Sequence, residues 1–554
     1  MNRMPVNRRA ALKTLLAGSA APFVIRSAAF AASCDGVVRV GAIAAPDTLN
    51  PFATWGSYWP TGYTYDFLVG VDAQRHPDRK GFAKEWTVAD DQLTWTFKIW
   101  PGMKWSDSQP ATARDAAFTY NYLKGSIGQP DELNVGWNNT GGLENIASIT
   151  ALDDETLQIV TKAPTRWPVD NWIMMVPEHV WKDISYAQAR STFHNNAPLV
   201  GTGPMIVAEF QQGQFARLTP NKYFRTGQPA TAEMIFNVFN TADPIAQGLK
   251  SGSLNYGLSL TAAQWADLSK DPDIVVGQSR VEQTDFLAFN TASGKGAGST
   301  KALQDAAFRD AIGYAIDQNA LVERAYRGHA DPGVGLIPPV AADYYSDLSD
   351  IRRHFDLAEA GRKLDAAGYR ESNGVRQDKE GKSFQLELIT SGNESGNLPI
   401  PLAAVQLIAA WLGQIGIPVS VTQLDSGALG ARVGSPAKGG GGWDLYVGSR
   451  WLSPFPSLLL TLGSAKSARD TSYWASDKFD ELLSQIERTV DLKKSQELVD
   501  QAVRLIYTEA PYLMLAYPFV LEARRRNDCF VGWGPDDEMV SMSSYFPFDR
   551  LKPV

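Results

Sequence analysis

Residues able to do covalent chemistry are few and scattered. The chain has 5 His and 2 Cys in 554 residues, too little for a metal centre built from imidazole and thiolate. The His-Glu-x-x-His pattern of a zinc hydrolase does not occur. Ser435-Pro436-Ala437-Lys438 fits Ser-x-x-Lys as a string, but it lies in the Gly-rich stretch 434–442 and lacks a Lys-Thr-Gly partner. Asp90-Asp91 and Asp153-Asp154 precede strand-like runs, where solvated turn residues belong. His179, in Val176-Pro177-Glu178-His179-Val180-Trp181, is either a ligand or base or a packed structural residue, and its Pro and Trp neighbours favour the structural role. Gly201-Thr202-Gly203-Pro204 lacks the Gly-Lys-Ser/Thr end of a phosphate loop and reads as a rigid, tightly approached turn. An exported hydrolase would need a nucleophile and a base that these residues do not supply, so binding is the better expectation than catalysis. No cofactor motif is present.

Aromatic residues are the richer resource: 16 Trp, 19 Tyr and 24 Phe. Trp55-Gly56-Ser57-Tyr58-Trp59 places three large rings in a loop of small residues. Such rings either plug a domain interface or stack on a ligand, their edges free to hydrogen-bond. Trp137, in Val135-Gly136-Trp137-Asn138-Asn139, is a further candidate. The net charge of −8 gives no electrostatic case for nucleic acid or for an anionic membrane surface.

The elements that must position these residues follow from composition and periodicity. A hydrophobic content of 44% with 20% charged residues fits a globular chain, and the length suggests two or three domains. Residues 1–31 read as an export signal: Arg3, Arg8, Arg9 and Lys13 are basic, 14–25 are mildly apolar, and Ala29-Phe30-Ala31 suits cleavage. The Arg8-Arg9 pair suggests the twin-arginine route. In an oxidising compartment Cys34 and Cys529 can form a disulfide; lipidation of Cys34 and two unpaired thiols are the alternatives. Val37–Ile43 reads as the first strand. Leu93, Trp95, Phe97 and Ile99 alternate with polar residues as in a half-buried strand. Thr112 with Asp115 forms a capping box before a helix whose Ala113, Ala116, Ala117, Tyr120 and Leu123 share a face. A strand at 157–160, a helix through Phe308 and Ile316 ending at Ala315-Ile316-Asp317, and a helix capped by Asp356 and stopped at Gly368 follow. Residues 384–389, a helix through Val405 and Ile415, and 417–424 make a βαβ unit with a parallel pair. A strand at 443–447 and helices at 479–488 and 496–509 complete the expectation.

Several of these pieces resemble, in order, the motifs of the peptide/nickel class (family 5) of extracytoplasmic solute-binding proteins. They are Leu49-Asn50-Pro51, Phe82 to Asp115, Val176 to Trp181, Gly201-Thr202-Gly203-Pro204, Asn221-Lys222-Tyr223-Phe224, Phe289-Asn290-Thr291, Ala315-Ile316-Asp317 and Leu364 to Tyr369. The resemblance spans about 37–548. It implies an α/β fold, a type II-like (class C) periplasmic binding protein: a two-lobed Venus flytrap with an extra inserted domain. Domain I would comprise 32–60, 195–285 and 510–554, domain II the insertion 61–194, and domain III 286–509. It implies a monomeric receptor in the periplasm that closes on a solute and delivers it to an ABC permease with its ATPase. Peptide-binding members carry an Asp a few residues after a Trp equivalent to Trp451, and that carboxylate receives the peptide ammonium. Here Leu452-Ser453-Pro454-Phe455-Pro456 follow and no acid comes before Asp470. Arg450 instead offers a cation, for a ligand carboxylate or polyhydroxyl or for an interface salt bridge. Trp55, Tyr58, Trp59, Trp137, Arg450 and Trp451 are therefore the expected ligand-binding residues, for a peptide-like solute or an oligosaccharide. A ligand-sensing receptor on the same fold is the alternative.

Overall fold

Alternation of apolar and polar residues builds the sheets. In Thr94–Ile99 the side chains of Trp95, Phe97 and Ile99 are buried while Lys98 is exposed, the two-residue period of a strand covered on one face. The computed structural model describes residues 36–43, 48–53, 60–71, 77–78, 81–133, 140–231, 233–292, 300–391, 399–434, 441–451, 471–526, 530–531 and 552–553. All of them lie in one compact unit, Cys34–Val554.

Thr94–Ile99 belongs to an antiparallel sheet of four strands in the order Ala83–Val88, Thr94–Ile99, Thr156–Thr161, Ile146–Ala151. Helix Ala113–Ser126 packs on this sheet through Ala113, Ala116, Ala117, Tyr120 and Leu123. Its capping box forms as expected: the Thr112 side chain accepts from the Arg114 amide, and Asp115 accepts from the Thr112 amide at 2.8 Å. Asp115 also accepts from the Glu178 amide at 3.0 Å, so one carboxylate closes the N-termini of two helices. Burial pushes that carboxyl above its ordinary value, against the two backbone donors that favour its charged form.

The second sheet has twelve strands. One half comprises Met205–Gln211, Phe215–Pro220, Glu233–Phe239, Val37–Ile43 and Tyr256–Gly257; the other comprises Val419–Gln423, Leu386–Thr390, Leu445–Trp451 and Gln283–Phe289. Between them runs Tyr512–Arg525, which also pairs with Ile274–Arg280 and Ala330–Pro332. Leu386–Thr390 and Val419–Gln423 are parallel and joined through helix Leu402–Gln414, the crossover expected from sequence.

The buried apolar residues fall into separate cores. One joins Val38, Val40, Phe82, Phe97, Trp105, Trp181 and Phe236. Two others draw on residues between Phe286 and Ala516 and lie around Leu287, Leu412 and Leu515 and around Phe286, Trp443 and Ile506. A small fourth core holds Ile245, Leu249, Ile274 and Leu521.

Two of the boundaries that differ from expectation have a plain physical cause. The helix through Phe308 is Ala306–Tyr314 and stops before Ala315-Ile316-Asp317, because Asp317 caps the next helix, Gln318–Arg324, by accepting from the Ala320 amide. The strand placed at 443–447 starts later and runs on through Leu445–Trp451, because pairing with Gln283–Phe289 supplies a ladder that the polar run Gly448-Ser449-Arg450 does not advertise.

The Gly201-Thr202-Gly203-Pro204 turn is a clamp. The Gly203 amide donates to the Thr64 carbonyl at 2.8 Å, Asn221 donates to the Gly203 carbonyl at 2.9 Å, and the Ser106 amide donates to the Gly201 carbonyl at 3.0 Å. Thr202 donates to Asp66, which holds Arg225 through both carboxylate oxygens. A Cβ on Gly203 would lie 2.3 Å from the Tyr63 carbonyl oxygen. Gly203→Ala is therefore expected to lower the unfolding free energy by about 2–3 kcal/mol, read as a lower urea midpoint at unchanged slope; an unchanged midpoint would contradict the clamp.

Buried tyrosines give the fold an alkaline limit. Burial raises the hydroxyls of Tyr65, Tyr120 and Tyr517 well above the usual tyrosine value. In the unfolded chain they ionise near pH 10. Because the folded value is the higher one, their contribution to stability is complete below about pH 10 and is lost as the pH rises beyond it. Absorbance at the tyrosinate band should rise together with loss of the circular-dichroism signal; ionisation of these tyrosines at about pH 10 with native circular dichroism would refute it.

Candidate functional site

Neighbouring stretches of chain carry the backbone from one half of the large sheet into the other. Ile274–Arg280 and Gln283–Phe289 follow each other along Tyr512–Arg525, with Arg280 opposite Phe519 and Asp285 opposite Ala516. The crossing therefore lies at 281–284 and 517–518. The ladder is weak there for two reasons. The register shifts between Asp285 and Phe286, a β-bulge. Pro518, opposite Ala330, has no amide hydrogen to donate in mid-strand. A bulge beside a proline, between two halves of the sheet with their own cores, is the geometry of a hinge.

The crossing is lined with polar groups that water does not reach. Glu282, Gln283, Thr284 and Asp285 are buried in succession, as are Glu522 and Arg524 on the neighbouring strand. Buried polar groups require partners. Asp285 accepts from the Tyr326 hydroxyl at 2.6 Å and from the Gln283 amide nitrogen at 3.1 Å. Glu522 accepts from the Tyr256 hydroxyl at 2.8 Å. Burial, and then the Asp285 charge and hydrogen bond, hold the Tyr326 hydroxyl protonated far beyond the ordinary range. Burial and the Glu522 charge do the same for Tyr63. Two buried carboxylates, each held by a tyrosine, thus sit on the strands of the crossing. They supply negative field and hydrogen-bond acceptors rather than a nucleophile–base pair.

Arg450 and Trp451 end the strand Leu445–Trp451 beside this crossing, opposite Thr284 and Gln283. As successive strand residues they address opposite faces of the sheet. Arg450 lies over the ring of Phe286, 5.9 Å from its centroid, and donates to the Ser449 carbonyl at 3.1 Å. Trp451 shares its face with Ser449, and across the ladder with Gln283 and Asp285. Trp55, Tyr58, Trp59 and Trp137 lie outside the described residues, as do Cys34, Cys529 and the signal segment. His179 pairs with Asp107 at 2.7 Å and is part-exposed, a structural contact between the short helix Glu178–Trp181 and the loop before helix Ala113–Ser126. Among the described residues no group of three His, Cys, Asp or Glu is arranged to hold a metal ion, and no helix is long and apolar enough to cross a membrane.

Tyr326, Asp285, Tyr256 and Glu522 were not singled out from sequence. One signal was available: Glu522 follows the apolar run Tyr512 to Leu521 within one strand, and a charge at the end of such a run marks a buried, partnered group.

Residues 79–470 match the family described as bacterial extracellular solute-binding proteins, family 5 Middle. The chain is 26% identical over 533 residues to the glutathione-binding protein GsiB of Shigella flexneri, covering 93% of this chain and 94% of that one. Its fold is shared with the oligopeptide-binding protein AppA of Bacillus subtilis, solved with a nonapeptide, at a TM-score of 0.72 and 20% identity over 94% of this chain and 99% of that one. It is also shared with NikZ of Campylobacter jejuni, solved with Ni(L-His), at a TM-score of 0.73 and 17% identity over 93% and 99%.

Tyr326→Phe removes one donor from a buried carboxylate. The expected cost is about 1.5–3 kcal/mol, measured by urea unfolding; a variant as stable as the parent would show that the Asp285 contact is replaceable by water.

Proposed function

We propose, from the premise that this chain belongs to the bacterial extracellular solute-binding proteins of family 5, that its solute is a peptide or peptide-like molecule. The chain is the extracytoplasmic substrate-binding component of an ABC importer, whose permease and ATPase receive the solute. Its lobes are domain I with the insertion domain II on one side (32–60, 195–285 and 510–554, with 61–194) and domain III on the other (286–509). They close about the crossing at 281–284 and 517–518. The observation that carries the reading is this crossing: a bulge and a proline interrupt the ladder where two halves of the sheet with separate cores meet. Ligand binding to the closed arrangement then shifts the population of lobes.

Peptide is favoured over oligosaccharide because the relatives named above include proteins described as binding glutathione and oligopeptides. Export by the twin-arginine route, with a monomeric mature chain, completes the proposal.

The test is a thermal-shift screen of the mature protein with dipeptides, tripeptides, a nonapeptide, glutathione and maltooligosaccharides. A ligand at 100 times its dissociation constant stabilises by about 2.7 kcal/mol. A shift with peptides or glutathione, and recovery of the ligand unchanged, is expected. A shift with sugars alone would overturn the peptide assignment, and turnover of the ligand would overturn the binding role.

A further inference from the structure

Away from the crossing, one polar contact joins parts of the molecule that belong to different cores. Arg166 precedes Trp167 and Val169, which are buried in the core of Phe82 and Trp181. Helices Asp477–Glu487 and Leu492–Glu509 bury Phe479, Ile486, Leu498 and Val499 in the core of Trp443. The turn between those two helices carries Val490, and Val490 packs against the other core, that of Trp167. The Arg166 Nη1 donates to the Val490 carbonyl at 3.2 Å, and its Nε donates to Asp170 at 3.2 Å. Arg166 and Asp170 keep only 17% and 10% of their side-chain surface in water. Burial pushes the Asp170 carboxyl up against the pull of Arg166, and the charge of Asp343 adds to the push. Tyr344, in the same core as Trp443, is raised by burial and by Asp170.

We infer that Arg166, Asp170 and Val490 form a reversible latch that holds the two lobes together at a place distinct from the hinge. The inference rests on the two-lobe reading of the chain. Three physical features point to a latch rather than to permanent packing. The contact is small, centred on one guanidinium and one valine with Asp343 and Tyr344 beside them, and small interfaces between compact units ordinarily permit motion. Its principal groups are charged, so they regain hydration when the lobes part; a broad apolar seam would resist opening. And the hydrogen bond that crosses between the lobes comes from a guanidinium already oriented by Asp170 in its own segment, so it demands one geometry and fixes how the lobes meet rather than how tightly the chain folds. The Arg166 guanidinium is planar and keeps its charge, which suits a donor that must find a carbonyl and a carboxylate at fixed angles. Opening removes the Val490 carbonyl but leaves Asp170, four residues on in the same segment, so the cation is never stranded. Latched lobes raise the population competent to enclose a ligand and thereby the apparent affinity.

Small-angle X-ray scattering on the unliganded mature protein tests the latch without reference to any ligand. Arg166→Ala should shift the radius of gyration upwards, with circular dichroism unchanged. Val490→Lys, on the opposite lobe, removes the apolar contact and sets a second cation beside Arg166, so it should give the same shift, and the double variant should add little further because both open one contact. With glutathione or a tripeptide found to bind the parent, each variant should weaken binding about tenfold. Parental scattering curves from both folded variants would overturn the latch. So would variants whose melting temperature falls while scattering and affinity stay parental, the mark of a merely structural contact. Should the parent bind none of the peptides, the peptide assignment fails while the scattering result still decides the latch.

Discussion

A single strand, Tyr512–Arg525, is hydrogen-bonded into both halves of the large sheet, and the rest of the molecule is arranged around that constraint. Backbone groups in a sheet interior must be paired. A strand shared by two half-sheets therefore ties them together, and any motion between them must be absorbed where its own ladder is weakest. Pro518 and the shift at Asp285–Phe286 put that weakness at one level of the sheet. On either side the cores are separate, so each half keeps its shape.

The price of this arrangement is polar burial. The strands that cross between the halves bring Glu282, Gln283, Thr284, Asp285, Glu522 and Arg524 out of water together. Tyrosine hydroxyls answer two of the carboxylates, from Tyr326 and Tyr256. A tyrosine is well suited to this: its ring joins the apolar surroundings while its hydroxyl stays protonated and donates. The result is a region with fixed hydrogen-bond geometry next to a weak point of the backbone. Away from it, the Gly201–Pro204 clamp ties Ser106, in the segment before helix Ala113–Ser126, to the first half, while Asp115 joins that helix to Glu178–Trp181.

What the sequence made legible was what short-range physics determines. The capping box at Thr112 and Asp115, the turn at Gly201 to Pro204 and the βαβ unit over Leu386–Gln423 need only a few residues to declare themselves. His179, expected to be packed by its Pro and Trp neighbours, is instead exposed and held by Asp107, a partner 72 positions away that no local pattern reports. Strand Tyr512–Arg525 did not declare itself. It is buried on both faces, so it shows no alternation, and a continuous apolar run does not announce which strands it joins. Leu445–Trp451 was half seen, since its polar second part becomes strand only through its partner across the ladder. The contact between Arg166 and Val490 spans 324 positions and no local signal reports it. The aromatic residues Trp55, Tyr58, Trp59 and Trp137 were legible as a cluster but fall outside the described residues.

The strand that joins the two halves is also nearly the last to be made. Val37–Ile43 is the first strand of the large sheet, yet it pairs with Glu233–Phe239 and with Tyr256–Gly257, and the latter in turn pairs with Tyr512–Arg525. While the ribosome is still at work, then, the early strands have an open edge and Gln283–Phe289 lacks one of its neighbours. Such long-range pairing makes acquisition of the native state slow. The delay leaves a window in which the growing polypeptide remains accessible to chaperones.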